Sequence, residues 1–223
     1  MEKNVAVTID GPSAAGKSTA AKMLAKRLGF LYVDTGALYR AIGYYVFLKN
    51  ADTSNPNEVI PLLEEMEIRL IYKDGEQRIL LNGQDVSEKI RIPEMSMAAS
   101  NVSAMPAVRE FLLELQRSLA RENSVVMDGR DIGTVVLPDA KIKFFLTAAA
   151  ETRARRRHLE FLEKGQEVDF ESLLAETIQR DYNDTNRATA PLKPAEGALY
   201  IDSTHLKLEE TIDMMFKMVE ERL

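Results

Sequence analysis

Positions 11–18 read Gly-Pro-Ser-Ala-Ala-Gly-Lys-Ser and match the pattern G-x-x-x-x-G-K-[ST]. Those residue types at that spacing bind phosphate. The two glycines let the backbone turn tightly enough for successive N–H groups to face one concavity, in which phosphate oxygens sit. Lys17 adds a positive charge that reaches the β- and γ-phosphates, Ser18 presents a hydroxyl to Mg²⁺, and the helix that follows offers its positive end. Eight residues can match such a pattern by chance, so the flanks decide. A short apolar run at residues 5–9 enters the loop, and residues 19–28 leave it with Ala20, Met23, Leu24 and Leu28 at helical spacing, closed by Gly29 as a cap. Strand, loop and helix in that order are the context the chemistry needs.

A second group of cations lies further along. Arg153, Arg155, Arg156 and Arg157 open one helical stretch, and Arg180 and Arg187 lie on or just beyond the next. Guanidinium forks suit phosphate oxygens, and at helical spacing Arg153, Arg156 and Arg157 share a face. Taken alone, a solvated face paired with Glu151, Glu160 and Glu163 explains the run better. Beside a phosphate loop the functional reading is preferred, because phosphoryl transfer needs cations around the moving group and a flap that excludes water.

The stretch Asp128-Gly-Arg-Asp131 follows an apolar run at residues 124–127. A strand-end aspartate beside a phosphate loop reaches Mg²⁺, directly or through water, and Arg130 is suited to a second phosphate. A turn with a local ion pair is the alternative. Asp34 and Thr35 also stand where a strand ends and a helix begins, a place that fits both helix capping and ligand contact. Arg40 lies on the helix they start. Ser100 and Arg109 fall on ordinary helical stretches, and spacing alone gives neither a role.

The elements that must carry these residues alternate. Apolar runs at 5–9, 30–33, 124–127, 141–146 and 198–201 read as strands, with helical patterns between most of them, which predicts βαβ units and a parallel sheet covered on both faces. Residues 60–90 break the rhythm. There, runs at 68–72 and 79–81 flank Asp74-Gly75, and Asn82-Gly83 follows, which predicts a small antiparallel insertion. Helices are predicted from Pro93 to residue 105, over 107–121 after Pro106, through 151–182 with a break near Gly165, and over 208–222.

Composition sets the outer limits. The chain has 223 residues, a formal charge of −6, no cysteine and two histidines. The length allows one sizeable domain with insertions, or two small ones. Without cysteine there is no disulfide, thiolate metal site or cysteine nucleophile. An acidic balance disfavours nucleic acid as a partner, so any anion site is local. The sequence enters its first strand by about residue 5 with no charged-then-apolar leader, and no apolar run approaches the roughly 20 residues of a membrane helix. A cytoplasmic, monomeric protein with no nucleic-acid or membrane partner is expected. A switch GTPase is disfavoured, because no asparagine is followed by lysine and no Asp-x-x-Gly occurs.

Taken together, Ile9-Asp-Gly-Pro-Ser-Ala-Ala-Gly-Lys-Ser-Thr19, Asp34-Thr-Gly-Ala-Leu-Tyr-Arg40, Asp128-Gly-Arg-Asp-Ile-Gly-Thr134 and Asp184-Thr-Asn-Arg-Ala-Thr-Ala-Pro191 resemble the bacterial-type cytidylate kinases, within the nucleoside monophosphate kinases. The resemblance implies an α/β, P-loop, three-layer α/β/α fold. It would have a five-stranded parallel core sheet, a monophosphate-binding insertion with a small antiparallel sheet, and a short helical lid. The implied division is a core at 1–36, 107–150 and 172–223, the monophosphate part at 37–106 and the lid at 151–171. The implied reaction moves the γ-phosphate of MgATP to CMP or dCMP, and the implied cofactors are ATP and Mg²⁺. Another acceptor, UMP or AMP, and a non-catalytic nucleotide-binding regulator are the competing expectations.

By the same resemblance, Gly11, Pro12, Ser13, Ala14, Ala15, Gly16, Lys17, Ser18 and Thr19 hold ATP, with Ser18 and Asp128 at the metal. Arg40 and Arg130 hold the acceptor's phosphate, Ser100, Arg109 and Asp131 read cytosine, Asp184 and Arg180 reach the ribose, and Arg187 reaches the phosphates. Thr35 keeps a hydroxyl that some relatives supply from serine, and it joins the substrate-binding set. Lys17, Arg130, Arg187 and the lid arginines Arg153 and Arg157 are the implied catalytic cations. Ala14 stands where many relatives carry glycine, and at most a small change in loop geometry is expected from it.

Overall fold

A computed structural model describes residues 4–73, 75–92, 94–163 and 165–223. Asp74 of the expected hairpin turn and Pro93 of the expected helix start lie outside the described residues. The chain divides into two compact units, Met1–Tyr32 with Ala120–Leu223, and Val33–Leu119.

Five strands, β1 (Ala6–Asp10), β2 (Leu31–Asp34), β6 (Val125–Gly129), β7 (Ile142–Thr147) and β8 (Leu199–Asp202), form one sheet in the order β2-β6-β1-β7-β8. β1 pairs in parallel with β6 and β7, and β7 with β8. The central strand is apolar on both faces, as a covered parallel strand must be: Val7 and Ile9 are fully buried, and they pack with Leu24 of helix α1 (Lys17–Leu28) and with Ile212 and Met215 of α8 (Leu208–Glu220). α1 ends as its sequence predicts, on Gly29 in the left-handed region at φ 70°.

The second unit contains α2 (Thr35–Leu48), α3 (Pro56–Leu62), the hairpin β3 (Ile68–Lys73) and β4 (Glu76–Leu81), the short β5 (Gln84–Asp85), and α4 (Glu94–Ser103). Helix α5 (Pro106–Glu122) continues from it. The three short strands form an antiparallel sheet in chain order, with Ile68 opposite Leu81. Its core joins Leu38 and Ile42 of α2 to Ile79 and Leu81 of β4 and to Val102, Val108 and Leu112. The alternation seen in residues 68–81 therefore serves this core, with one side of the hairpin buried and the other exposed.

Two features differ from what the sequence pattern predicts. β6 runs on through Asp128 and Gly129 rather than stopping at residue 127, and residues Ile132–Val136 form a π-helical turn. The long charged stretch resolves into α6 (Ala150–Glu163) and α7 (Phe170–Asn186), and Gly165 between them takes φ 71°. No helix among the described residues is long and apolar enough to cross a membrane.

Candidate active site

The loop after β1 is shaped by contacts that tolerate only particular residues. Gly11 has φ 150°, and a Cβ there would lie 1.9 Å from the carbonyl oxygen of Leu146, so any side chain collides with backbone. Ala14 holds φ 58°, a left-handed conformation that costs a non-glycine residue about 1 kcal/mol. Thr19 lies in the first turn of α1, exposed.

Lys17 is buried, and its Nζ donates to the carbonyl of Pro12 at 2.6 Å. Burial holds its ammonium well below the usual pKa and Arg130 adds repulsion, while Asp128 and Asp10 work the other way. A cation kept here at such cost is suited to meeting an anion. Ser18 Oγ donates to Asp128 Oδ2 at 2.9 Å, and Tyr32 Oη donates to Oδ1 at 3.0 Å. A hydroxyl and a carboxylate side by side are hard oxygen donors, the kind that hold Mg²⁺ together with substrate phosphates. Tyr32 carried no sequence signal, because its contact with Asp128 spans 96 positions.

A cluster of charged groups gathers on the same unit. Arg130 commits Nε, not its terminal nitrogens, to Asp184 Oδ2 at 2.8 Å. Arg187 places Nη2 3.5 Å from Asp131 Oδ1, and its Nε donates to the carbonyl of Ala190. Arg180 Nη1 donates to Ser13 Oγ at 3.0 Å, which brings α7 onto the phosphate loop. Burial alone would raise the pKa of Asp184, but Arg130, Arg180 and Arg187 outweigh it and bring the carboxyl below its usual value. A carboxyl depressed in this way stabilises the fold above the unfolded-state value of 3.8 and ceases to do so as pH falls through its folded value. Asp184→Asn should therefore unfold more easily at pH 7 by about 3 kcal/mol, and should lose less additional stability than the wild type below about pH 4. Urea titrations at pH 7, 4 and 3 measure both.

The arginines of α6 are held in different ways. Arg153 is buried. Its guanidinium donates to the carbonyls of Ala148 and Ser13 and pairs with both oxygens of Asp181, so it braces the phosphate loop against α7. Arg157 Nη1 donates to Glu176 Oε1 at 3.2 Å, a tie between α6 and α7. Arg156, which shares their helix face, donates to the carbonyl of Ser203 at 2.8 Å, and its Nη1 would lie 4.0 Å from a Cβ on Gly16. Arg156, placed on this face by its spacing but given no site role there, is thus a neighbour of the phosphate loop.

The second unit carries its own polar set. Asp34 caps α2 by accepting from the N–H of Ala37 at 3.0 Å, and its other oxygen accepts from Arg40 Nη2 at 2.8 Å, beside the buried Thr35. Gln77 of β4 clamps the backbone of Asp34 from both sides, accepting from its N–H and donating to its carbonyl. Capping and ligand contact are thus compatible here, since the cap also orients an arginine. Ser100 and Arg109 are both buried. The Ser100 carbonyl accepts from Ser103 Oγ, the Ser103 carbonyl accepts from Arg109 Nη1 at 3.3 Å, and the Arg109 guanidinium lies 5.8 Å from the centre of the Tyr39 ring. Gln77 and Tyr39 were not foreseeable from spacing, because both act through the packing of the hairpin and α5 on α2.

Comparison with known proteins supplies what geometry alone does not. A family model described as cytidylate kinase matches residues 7–221. A protein named cytidylate kinase from Caldicellulosiruptor saccharolyticus is 50% identical over 216 residues, covering 97% of this chain and 96% of that protein. Another with the same name, from Geobacillus sp. strain WCH70, is 46% identical over 223 residues and covers both chains fully. Among solved structures, a protein described as uncharacterised from Eubacterium ventriosum aligns with a TM-score of 0.51 at 12% identity, covering 98% of this chain and all of its own, a likeness of fold.

Proposed function

The chain belongs to the cytidylate kinase family, and from that premise we propose how its residues divide the transfer of the γ-phosphate of ATP to CMP or dCMP. The observation that carries the division is the buried cation Lys17 beside the loop that Arg153 and Arg180 brace, on the unit that also holds Arg130 and Arg187. Residues 11–19 take the donor's phosphates on backbone N–H groups, and Lys17 moves from the Pro12 carbonyl to those phosphates. Ser18 and Asp128 would hold Mg²⁺, which would neutralise charge on the phosphate oxygens. Lys17, Arg130 and Arg187 stabilise the group in transfer, joined by Arg153 and Arg157 through the lid.

The acceptor's phosphate is assigned to Arg40 and Arg130, its ribose to Arg180 and Asp184, and its base to Ser100, Arg109 and Asp131, and Thr35 joins this substrate-binding set. Its arginines keep Asp184 ionised, and an ionised carboxylate is an acceptor only, which suits ribose hydroxyls. No general base is assigned: a loose transition state asks for alignment and neutralised charge more than for proton removal. The core is read as 1–36, 107–150 and 172–223, the acceptor part as 37–106 and the lid as 151–171. Each compact unit has its own apolar core, which supports a monomer, and nucleotide substrates support the cytoplasm.

A coupled assay for ADP release with CMP, dCMP, UMP and AMP tests the reading. CMP or dCMP should give the highest kcat/KM by at least about tenfold, since a site built to hydrogen-bond one base edge rejects bases that leave its groups unpaired. Faster turnover of UMP or AMP would remove the assignments to Ser100, Arg109 and Asp131, and no ADP with any acceptor would leave a nucleotide-binding regulator.

A further inference from the structure

Asp10 is the last residue of β1, immediately before Gly11, and it is nearly fully buried. Its Oδ1 accepts from the N–H of Ile132 and its Oδ2 from the N–H of Gly133, both at 2.7 Å. These are the first two N–H groups of the π-helical turn, so a residue 122 positions away caps that turn through its side chain. The approach is close. A Cβ on Gly133 would lie 2.9 Å from Thr8 Oγ1, 3.2 Å from Ala195 Cβ and 3.3 Å from Asp10 Oδ2, so the turn is pressed close against β1.

A carboxylate is a costly choice for this place. Burial pushes its pKa up to about 7; the two N–H donors and Lys17 work against that rise, and Asp131 adds to it. What the arrangement gains is geometric. The chain between the end of β6 and the capped turn is Arg130-Asp131, and both ends of that dipeptide are fixed. Gly129 is in register with Asp10 on the sheet, and Ile132 and Gly133 hang from the Asp10 carboxylate. One ladder position and two short hydrogen bonds leave the dipeptide little room, so the directions in which Arg130 and Asp131 project follow from Asp10. The residue that fixes them is also the residue from which the phosphate loop departs.

We infer that Asp10 is a positioning residue for acceptor recognition, holding Arg130 and Asp131 in fixed relation to the phosphate loop through the N–H groups of Ile132 and Gly133. The inference rests on the acceptor roles given above to those two residues. It concerns no contact of Asp10 with either nucleotide. A cap that merely stabilised the fold would lower stability and leave the affinities of the folded protein alone. A cap that aims Arg130 and Asp131 changes the handling of one substrate and not the other.

The test uses the full chain carrying Asp10→Asn, which keeps one acceptor and turns an NH₂ group toward the other N–H, and Asp10→Ala, which leaves both donors unpaired in a buried place. Asp131→Ala is measured beside them. Circular dichroism and thermal melts identify folded variants, and titration calorimetry measures CMP and ADP separately. CMP affinity should fall by about tenfold or more in Asp10→Ala, with Asp10→Asn between it and the wild type, a displacement effect of the size expected when a binding group moves by about 1 Å. ADP affinity should stay within about twofold of the wild type for a loop whose own backbone is intact. Equal losses for CMP and ADP, or unchanged CMP affinity in folded Asp10→Asn while Asp131→Ala loses CMP, overturn the inference alone. Unchanged CMP affinity in Asp131→Ala overturns the acceptor reading and this inference with it. If Asp10→Ala does not fold, the comparison of Asp10→Asn with Asp131→Ala decides in the same terms.

Discussion

Lys17→Met should lower kcat by about a thousandfold, because in the proposed division of roles the lysine supplies charge to oxygens that become more negative as the phosphoryl group leaves. The same substitution should stabilise the protein when no nucleotide is present. Lys17 is buried, its Nζ donates to the Pro12 carbonyl, and burial and Arg130 depress its pKa. For a lysine whose folded value lies below its unfolded value near 10.4, stability is reduced at every pH below that unfolded value and recovers as pH rises toward it. Methionine fills a similar volume without the charge. Melts without nucleotide should place Lys17→Met above the wild type by about 1 kcal/mol at pH 7, with the gap narrowing toward pH 10. Saturating ADP should reverse the order, since only the wild type gains a phosphate partner for the ammonium. A variant that melts lower than the wild type in both conditions would show that Lys17 is structural.

The strands and helices that carry the site were legible because each had a local cause. An apolar run followed by a glycine-bearing loop and a periodic helix describes residues 5–28, and Gly29 at φ 70° closes that helix as its position in the pattern requires. The hairpin was legible from two alternating runs around a turn pair. Its third strand, two residues long, was not, because Gln84–Asp85 has no pattern of its own and exists only by pairing with β4. The partners of the chemical groups were less legible still. Asp128 was visible as a strand-end aspartate, but Tyr32 beside it was not. Arg153 looked like any other member of its arginine run until α7 placed Asp181 against it. Asp10 is the clearest case. In the sequence it is an acidic residue before a glycine, and its work is done on N–H groups that reach it only after β1 and β6 pair. Local patterns specify elements, whereas the orientation of functional side chains is set by contacts between residues far apart in the chain.

Arg130→Ala should reduce kcat/KM for CMP by about a hundredfold, the loss expected when a charge-assisted contact to a phosphate disappears from a transition state that depends on it. The pairing with Asp184 separates this effect from a structural one. Because Arg130 uses Nε for Asp184, its removal takes away a partner from a carboxyl that burial already disfavours, while Arg180 and Arg187 remain to hold Asp184 below its usual pKa. The stability loss should therefore be smaller than that of Asp184→Asn, which removes the charge that Arg130, Arg180 and Arg187 all act on. Lysine at the same position gives a second discrimination. Arg130→Lys keeps the charge without the fork, so it should recover part of the affinity for CMP but little of kcat, since a point charge attracts the phosphate without fixing its orientation. If Arg130→Ala lost stability as severely as Asp184→Asn while Arg130→Lys restored kcat fully, the guanidinium would be serving Asp184 and the fold, and the acceptor's phosphate would have to be held elsewhere. Kinetics with CMP varied at saturating ATP, run beside urea titrations of the three variants, read both quantities from the same preparations.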